Sequence, residues 1–201
     1  MCGRYDLSTE SDIPELREIF AALHRRFKGM PAFAALKTGE IFPTDTTPVL
    51  VQGTNTLSVT LMRWGFPREN SVIINARAET AAQKKLFQAA LLHRRCIIPT
   101  TGFYEWRHVA GQPKEKALFR LEKSKLLYLA GLYSACSPKG KEPYIGYVIL
   151  TTQANPSVAC YHDRMPLIVP RNQLSRWLTD TDYALELTNA PCTAALYPQQ
   201  T

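Results

Sequence analysis

Two segments, LLYLAGLY at residues 126–133 and YIGYVILT at residues 144–151, decide the fold class of this chain. Each is a short run of aliphatic and aromatic residues, and turn-forming Lys, Gly and Pro residues lie between them. Runs of the same kind occur at Leu57–Trp64 and at residues 96–98, 117–122 and 166–169. These patterns predict successive strands of a largely antiparallel sheet that is partly rolled into a barrel.

Helices are predicted on either side of these strands, at residues 12–28, 78–93, 172–178 and 182–187. The first has apolar residues at helical spacing behind a cap at Asp12, and the second ends in the basic residues His93, Arg94 and Arg95. The proline-containing residues 30–47 are expected to be irregular. The predicted fold class is therefore α+β, and residues 1–201 are expected to form a single domain flanked by short helices.

Charge and hydropathy limit the partners and the compartment. The chain carries 24 Lys and Arg residues against 17 Asp and Glu residues, a formal net charge of +7. This excess of positive charge favours an anionic partner and salt-sensitive binding. The sequence has no apolar run of membrane-spanning length and no signal-peptide pattern, so a cytoplasmic location is expected, with no membrane contact.

The five cysteines are scattered and form no C-x-x-C pair, a pattern that argues against a disulfide framework and a zinc knuckle. Cys160 and His162 have the spacing of two metal ligands, but no second pair accompanies them. We therefore expect neither a metal ion nor an organic cofactor.

The amino-terminal sequence MCGRY, residues 1–5, contains the most unusual candidate nucleophile. Removal of Met1 leaves Cys2 with an α-amine of reference pKa about 7.7–8.0 beside a thiol of about 8.5. Such an aminothiol can capture an aldehyde in two steps, because the amine forms an imine and the thiol then closes a thiazolidine ring. Gly3 allows a sharp entry into a site, and Arg4 can meet an anion. The alternative is that Cys2 is only a tolerated second residue.

Two further segments contain polar residues suited to a site. If residues 72–77 are extended, Asn75 and Arg77 share one face of the strand, where an amide could orient a reactant and a guanidinium could hold a phosphate. In GFYEW, residues 102–106, Glu105 lies among aromatic residues whose burial would raise its pKa toward that of a general acid or base. The alternatives are a turn Asn with a solvated Arg, and an ordinary strand with Glu105 facing water.

The segments CYHDRMP, residues 160–166, and WGFP, residues 64–67, are less specific. His162 could transfer protons, and Arg164 shares its face if the chain is extended. Trp64 could separate stacked bases, although bulky apolar side chains are also ordinary core material. A lone histidine ahead of a strand, such as His162, is more often structural than catalytic.

Eight motifs in this order resemble the SOS-response-associated peptidase (SRAP) family: MCGR, PTDTTPVL, MRWGF, NARAET, RCIIPTTGFYEW, AGLY, LTTQAN and HDRMP. The resemblance extends over nearly the whole chain. It implies covalent capture of abasic sites in single-stranded DNA during the response to DNA damage, with association to the nucleoid while the protein is engaged on DNA. It also implies DNA lyase activity and peptidase (hydrolase) activity, and we expect a monomer.

The resemblance implies a role for each matching residue. Cys2 is the nucleophile, and Asn75, Glu105 and His162 assist it. The DNA-contacting positions are Arg4, Pro43, Thr44, Trp64, Arg77, Trp106, Thr151 and Arg164. One departure is Gly39-Glu40-Ile41-Phe42, where many members carry a polar Tyr-Asn-x-Ala-type segment.

Two other classes stay open at this point. Amidotransferases with an N-terminal cysteine nucleophile also begin Met-Cys-Gly, but they are expected to contain an Asn-Gly oxyanion element, and this chain has no Asn-Gly dipeptide. A non-covalent binding module for single strands would use only the aromatic residues and the arginines. Replacement of Cys2 by Ala separates the classes, since a binding module keeps its affinity and a crosslinking protein loses only the covalent product.

Overall fold

A computed structural model describes residues 2–8, 13–54, 56–108, 111, 113–140 and 142–201. This part of the chain forms strands and short helices in the order predicted for an α+β protein. The strands are β1 Tyr5–Leu7, β2 Gly39–Ile41, β3 Thr46–Gln52, β4 Leu57–Trp64, β5 Phe66–Arg68, β6 Ser71–Ile73, β7 Asn75–Arg77, β8 Arg95–Thr100, β9 Gly102–Arg107, β10 Glu115–Leu121, β11 Leu127–Cys136, β12 Tyr144–Gln153, β13 Arg164–Pro166 and β14 Leu196–Gln200. The helices are α1 Pro14–Phe27, α2 Pro31–Ala34, α3 Ala78–Ala81, α4 Lys85–His93, α5 Leu174–Thr179 and α6 Thr181–Asn189.

Five strands close into a barrel. They follow one another in the order β11, β8, β3, β4 and β12, and β11 also pairs with β12, which joins the two ends of the ring. All of these pairs are antiparallel except β4 with β12, which is parallel. The predicted fold class, with its largely antiparallel sheet rolled into a barrel, is confirmed.

A second sheet carries the amino terminus. Its strand order is β14, β10, β9, β1 and β2, and all of its pairs are antiparallel. The register of β1 with β9 places Tyr5 opposite Phe103 and Asp6 opposite Gly102. Extending this register by three residues places residue 2 opposite Trp106, near the end of β9.

The core fills the space within and between the sheets. Its largest fully buried side chains include Trp64, Trp177, Tyr5 and Tyr147. The hydroxyls of Tyr5, Thr47 and Tyr147 form a closed ring of hydrogen bonds 2.7 to 2.9 Å long, so these buried polar groups satisfy one another. No helix in the described residues is long and apolar enough to cross a membrane.

Helix α1 confirms the first predicted helix, although Asp12 lies outside the described residues. The basic end of the second predicted helix is also confirmed, since buried Arg95 donates to the carbonyls of Leu91, Trp177 and Leu178 and so caps the ends of α4 and α5. The α5 and α6 helices agree with the two predicted near the carboxyl end.

Several boundaries differ because distant partners decide them. The helix predicted at 78–93 is divided into α3 and α4, since α3 packs on β12 and α6 while α4 packs on β8 and β11. The prediction of irregular chain at 30–47 was wrong for α2, for β2, which pairs with β1, and for the start of β3. The strand predicted at 166–169 lies earlier, as β13, because Gln153 pairs with Arg164.

Candidate active site at the amino terminus

Cys2 enters the molecule just before β1 and is completely buried. Its Sγ donates a weak hydrogen bond to the carbonyl of Arg4, 3.5 Å away. Burial raises the pKa of the Cys2 thiol, and the negative charge of Glu105 raises it further. In this state the thiol is therefore neutral, and Glu105 is close enough for its charge to act on the sulfur.

Asn75 fixes the backbone of residue 2. It lies in β7, which pairs in parallel with β12 so that Asn75 stands opposite Ile149. Its Nδ2 donates to the carbonyl oxygen of Cys2 at 2.8 Å. Its Oδ1 is buried and accepts no hydrogen bond from the described part of the chain. Asn75 thus anchors the terminus and keeps one acceptor for a reactant.

Glu105 lies in β9, beside the terminus. Continuing the β1–β9 register by two residues places it opposite Gly3, and Tyr104 confirms the alignment by donating from its backbone N to the carbonyl of Arg4 at 2.9 Å. The side chain is buried, and burial raises the pKa of Glu105 to about 7. A carboxyl group with this pKa can both accept and donate a proton near neutral pH, so the interpretation of Glu105 as facing water was wrong.

His162 follows the turn at the end of a short loop, in which its own backbone N donates to the carbonyl of Val158. Its Nδ1 lies 2.9 Å from the backbone N of Arg164 and 2.7 Å from Oδ1 of Asp163. Burial lowers the pKa of His162, which favours the neutral ring, whose Nδ1 accepts from the Arg164 amide. The Asp163 charge contributes to raising the pKa of Glu105, so this loop approaches β9.

Arg4 is held in a stacked position. Its guanidinium carbon lies 4.3 Å from the ring centre of Phe42 and 5.0 Å from that of Trp106. Glu40 accepts from Arg4 at 3.0 Å and from Lys116 at 2.7 Å. Burial acts to raise the pKa of Glu40, but the hydrogen bond from Lys116 and then that from Arg4 outweigh it, and the pKa lies below its usual value. Arg4 therefore already has an anionic partner within the protein.

Arg164 is also paired. Its guanidinium makes a two-pronged contact with Glu79, with N–O distances of 2.7 and 2.8 Å. It also donates to the carbonyl of Thr151 at 2.5 Å. Thr151 itself is buried and donates from Oγ1 to the carbonyl of Ala76, so only its backbone takes part here. A phosphate contact by Arg164 would require competition with Glu79.

The remaining candidates divide by exposure. Arg77 and Thr44 are exposed, whereas Pro43 and Trp106 are half-buried. The Arg77 side chain makes no hydrogen bond or ion pair within the described residues. Its position in β7, after buried Ala76, puts it on the same side as Asn75, as the predicted extended chain requires.

For Trp64 the structure supports the interpretation as a core residue. The ring is completely buried, packs against Tyr5 and Tyr147, and donates from Nε1 to the carbonyl of Ile74 at 3.0 Å. A DNA contact by Trp64 stays a prediction that requires the ring to leave this position. The indole instead braces residue 74, next to Asn75.

Metal-ligand and cysteine patterns complete the inventory. The described residues contain no cluster of three or more His, Cys, Asp or Glu side chains able to hold a metal ion. All five cysteines are free thiols.

Sequence reasoning missed the carboxylates that pair with the arginines. Glu79 lies within the NARAET motif, and Glu40 lies in the segment noted for its departure from the family pattern. The sequence offered no signal for these ion pairs beyond the position of the two carboxylates in or near the motifs. Glu79 and Arg164, for example, are 85 residues apart in the chain. Glu79 and Arg164 meet because β7 and β13 both pair with β12.

Comparison with known proteins identifies the family of this chain. The family model described as SOS response associated peptidase (SRAP) matches residues 1–198, and the chain belongs to this family. The abasic site processing protein YoqW of Bacillus subtilis (strain 168) is 31% identical over 199 residues, covering 93% of this chain and 86% of that protein. The abasic site processing protein YedK of Escherichia coli (strain K12) is 27% identical over 118 residues, covering 57% of this chain and 52% of that protein.

Solved structures support the fold. A crystal structure of a protein from Bacteroides thetaiotaomicron superposes with a TM-score of 0.77 at 21% identity, covering 99% of this chain and 91% of that one. A protein from Bordetella bronchiseptica gives a TM-score of 0.74 at 20% identity, covering 100% of this chain and 99% of that one.

Proposed function

We propose that this protein processes abasic sites in single-stranded DNA by covalent capture of the lesion at Cys2. The family membership and the names of the relatives support abasic sites as the substrate class. The observation that carries the proposal is the anchoring of residue 2. Asn75 binds its carbonyl at 2.8 Å, beside a buried Glu105 with a pKa of about 7.

The reaction begins once Met1 has been removed. The α-amine of Cys2 attacks the C1′ aldehyde carbon of the ring-opened sugar, and the carbinolamine then loses water to give an imine. The thiol adds across the C=N bond, so that sulfur bonds to carbon and the thiol proton passes to nitrogen. The product is a thiazolidine plus one water molecule, and the sequence of steps consumes no oxidant, metal ion or organic cofactor.

The neighbouring residues supply proton transfer and orientation. Ionised Glu105 accepts the proton that the attacking amine releases, and the protonated form returns it to the departing hydroxyl. Neutral His162 assists ring opening and reversal, while Asn75 holds the terminus at the sugar. Exposed Arg77 binds a backbone phosphate next to the lesion.

Further activities follow from the same intermediate. β-Elimination from the imine would appear as lyase activity, and closure of the thiazolidine would suppress it by removing the imine. Peptidase activity would either expose Cys2 by removal of Met1 or release the protein from its adduct. We propose a monomer that acts in the cytoplasm and shields the lesion from strand scission.

Intact-protein mass spectrometry before and after incubation with an abasic oligonucleotide tests the proposal. We expect loss of Met1, followed by a mass gain equal to the oligonucleotide minus one water. A variant with one Ala inserted between Met1 and Cys2 keeps the thiol but buries the amine in a peptide bond, and it should form no adduct. Cys2→Ala should retain binding and lose the stable product. A full yield of adduct from the inserted variant would overturn the proposal.

A further inference from the structure

A groove of about 880 Å³ lies on the surface beside the turn that follows Trp64. The residues that define this basic groove are Thr44, Arg63, Arg68, Ser71, Lys139 and Tyr144. They come from the β2–β3 connection, the end of β4, the β5–β6 hairpin, the turn after β11 and the start of β12. Because five separate parts of the fold meet here, the groove is a feature of the packed molecule.

The groove carries an excess of positive charge that the protein does not neutralise. Arg63, Arg68 and Lys139 line it with one acid, Glu69, and none of the four makes an ion pair within the described residues. Arg4 and Arg164, by contrast, both have carboxylate partners at 3.0 Å or less. Unpaired cations in a concave surface attract an external anion, so this groove is better suited to a phosphate than either paired arginine.

The walls of the groove also offer an aromatic face and exposed polar groups. The Arg63 guanidinium lies 4.9 Å from the ring centre of Tyr144, whose hydroxyl donates to the carbonyl of Gly65 at 3.3 Å. Thr44 adopts a φ of 79°, a left-handed conformation that is rare for a β-branched residue. Its backbone N donates to the carbonyl of Trp64 at 2.8 Å, which holds the strained residue at the rim.

A short, braced segment connects the groove to the candidate active site. Val72 lines the groove, and three residues further along, Asn75 binds the carbonyl of Cys2. An extended chain covers this distance in roughly 10 Å. Trp64 fixes the path, because its backbone and indole join the groove rim to residue 74. A strand seated at Cys2 would therefore reach the groove within a few nucleotides.

We propose that the basic groove binds the phosphodiester backbone of the DNA strand that flanks the captured abasic nucleotide. This inference rests on the proposed function. Arg68 and Lys139 supply two phosphate contacts, Arg63 supplies a third from its place on Tyr144, and Glu69 excludes a closer approach on its side. The groove extends the bound length of the strand beyond the nucleotide that reacts.

The double variant Arg68→Gln/Lys139→Gln tests the groove, with Arg17→Gln/Arg25→Gln as the matched control. The control removes the same charge from exposed positions on α1. The probes are an abasic oligonucleotide of about twenty nucleotides and 2-deoxyribose 5-phosphate, which offers the same aldehyde without any flanking nucleotide. For the long probe we expect a roughly tenfold slower adduct formation and a salt slope of binding about 1.4 smaller in magnitude, at about 0.7 per lost phosphate contact.

The difference between the two probes decides whether the groove binds the flanking strand. The sugar phosphate should react at the wild-type rate with the groove variant, and the control variant should match the wild type with both probes. Equal losses in groove and control variants, or an equal loss with both probes, would overturn the groove proposal. Failure of the wild type to form any adduct would instead refute the proposed function, and salt-dependent binding of an undamaged twenty-nucleotide strand would still test the groove.

Discussion

The pairing of Glu79 with Arg164 allows a prediction whose magnitude follows from the structure. Glu79→Gln keeps the shape of the side chain and one hydrogen bond to the guanidinium but removes the negative charge. The Arg164 side chain is 14% exposed, so the variant leaves a largely buried cation without its anion. The Nε atom of Arg164 is already buried without a hydrogen-bond partner among the described residues, so loss of the Glu79 charge leaves the guanidinium still less satisfied.

The expected cost lies between those of surface and buried ion pairs. Exposed pairs contribute about 0–1 kcal/mol, whereas breaking a buried pair costs about 3–5 kcal/mol. Glu79 is 37% exposed, so solvent screening moves the expected cost to about 1–2 kcal/mol. For a chain of this size that corresponds to a melting temperature lower by about 2–8 °C.

The shifted pKa of Glu79 determines the pH range in which its ion pair with Arg164 stabilises the fold. The hydrogen bond from Arg164 lowers the pKa of Glu79, opposed by partial burial. A carboxyl group with a lowered folded-state pKa contributes stability above its unfolded pKa of about 4.3 and loses it as the pH falls through the folded value. The difference in melting temperature between wild type and Glu79→Gln should therefore be full at neutral pH and vanish in acid.

Thermal unfolding followed by circular dichroism at neutral and acidic pH measures this difference, with Glu18→Gln on α1 as the control. A difference that is unchanged in acid would refute the assignment of the stability to this ion pair. Glu79→Gln also distinguishes two roles for Arg164, positioning of the loop and direct binding of phosphate. We expect adduct formation to slow while the salt slope stays constant, because Arg164 positions the loop that carries His162. A steeper slope would instead show a guanidinium released to bind phosphate.

Three further outcomes are expected. Glu105→Gln should abolish the component of the adduct-forming rate that titrates near pH 7. It should also remove a stability loss of about 3 kcal/mol that the wild type shows as the pH rises from about 4.3 to 7, because a raised carboxyl pKa favours the folded state only below that range. A pH profile unchanged from the wild type would exclude Glu105. Trp64→Ala should lower the free energy of unfolding by about 3–5 kcal/mol in urea titrations, and a loss below 1 kcal/mol would contradict its place in the core. Arg77→Ala should reduce the salt slope of single-strand binding by about 0.7 with little change in melting temperature, and an unchanged slope would remove it from the phosphate contacts.

The sequence predicted the elements that depend on local pattern. Alternating and continuous apolar runs located β4, β11 and β12, and helical spacing located α1. The segment GFYEW left both a buried and a water-facing Glu105 open, and the structure shows the buried one. The shared face of Asn75 and Arg77, expected only if the segment was extended, is found in β7.

Features that depend on distant pairing could not be predicted. β2 has only three residues and exists because β1 pairs with it, and the carboxylates that hold Arg4 and Arg164 come from elsewhere in the chain. Trp64 offered two interpretations, a wedge for bases or a core residue; the local sequence slightly favoured the core, and the packing against Tyr5 and Tyr147 supports it. A single sequence contains no signal for such contacts.

The geometry also bears on the order of the chemical steps. Burial raises the pKa of the Cys2 thiol, so the thiolate is scarce near neutral pH and a direct first attack by sulfur is disfavoured. The α-amine needs only a partner that titrates in the same range, and Glu105 is that partner. Once the imine has formed, the Cys2 sulfur and the imine carbon are joined through the Cys2 nitrogen. Ring closure is therefore intramolecular and needs little thiolate. A buried thiol beside a carboxyl group of pKa about 7 therefore favours amine attack first and sulfur closure second.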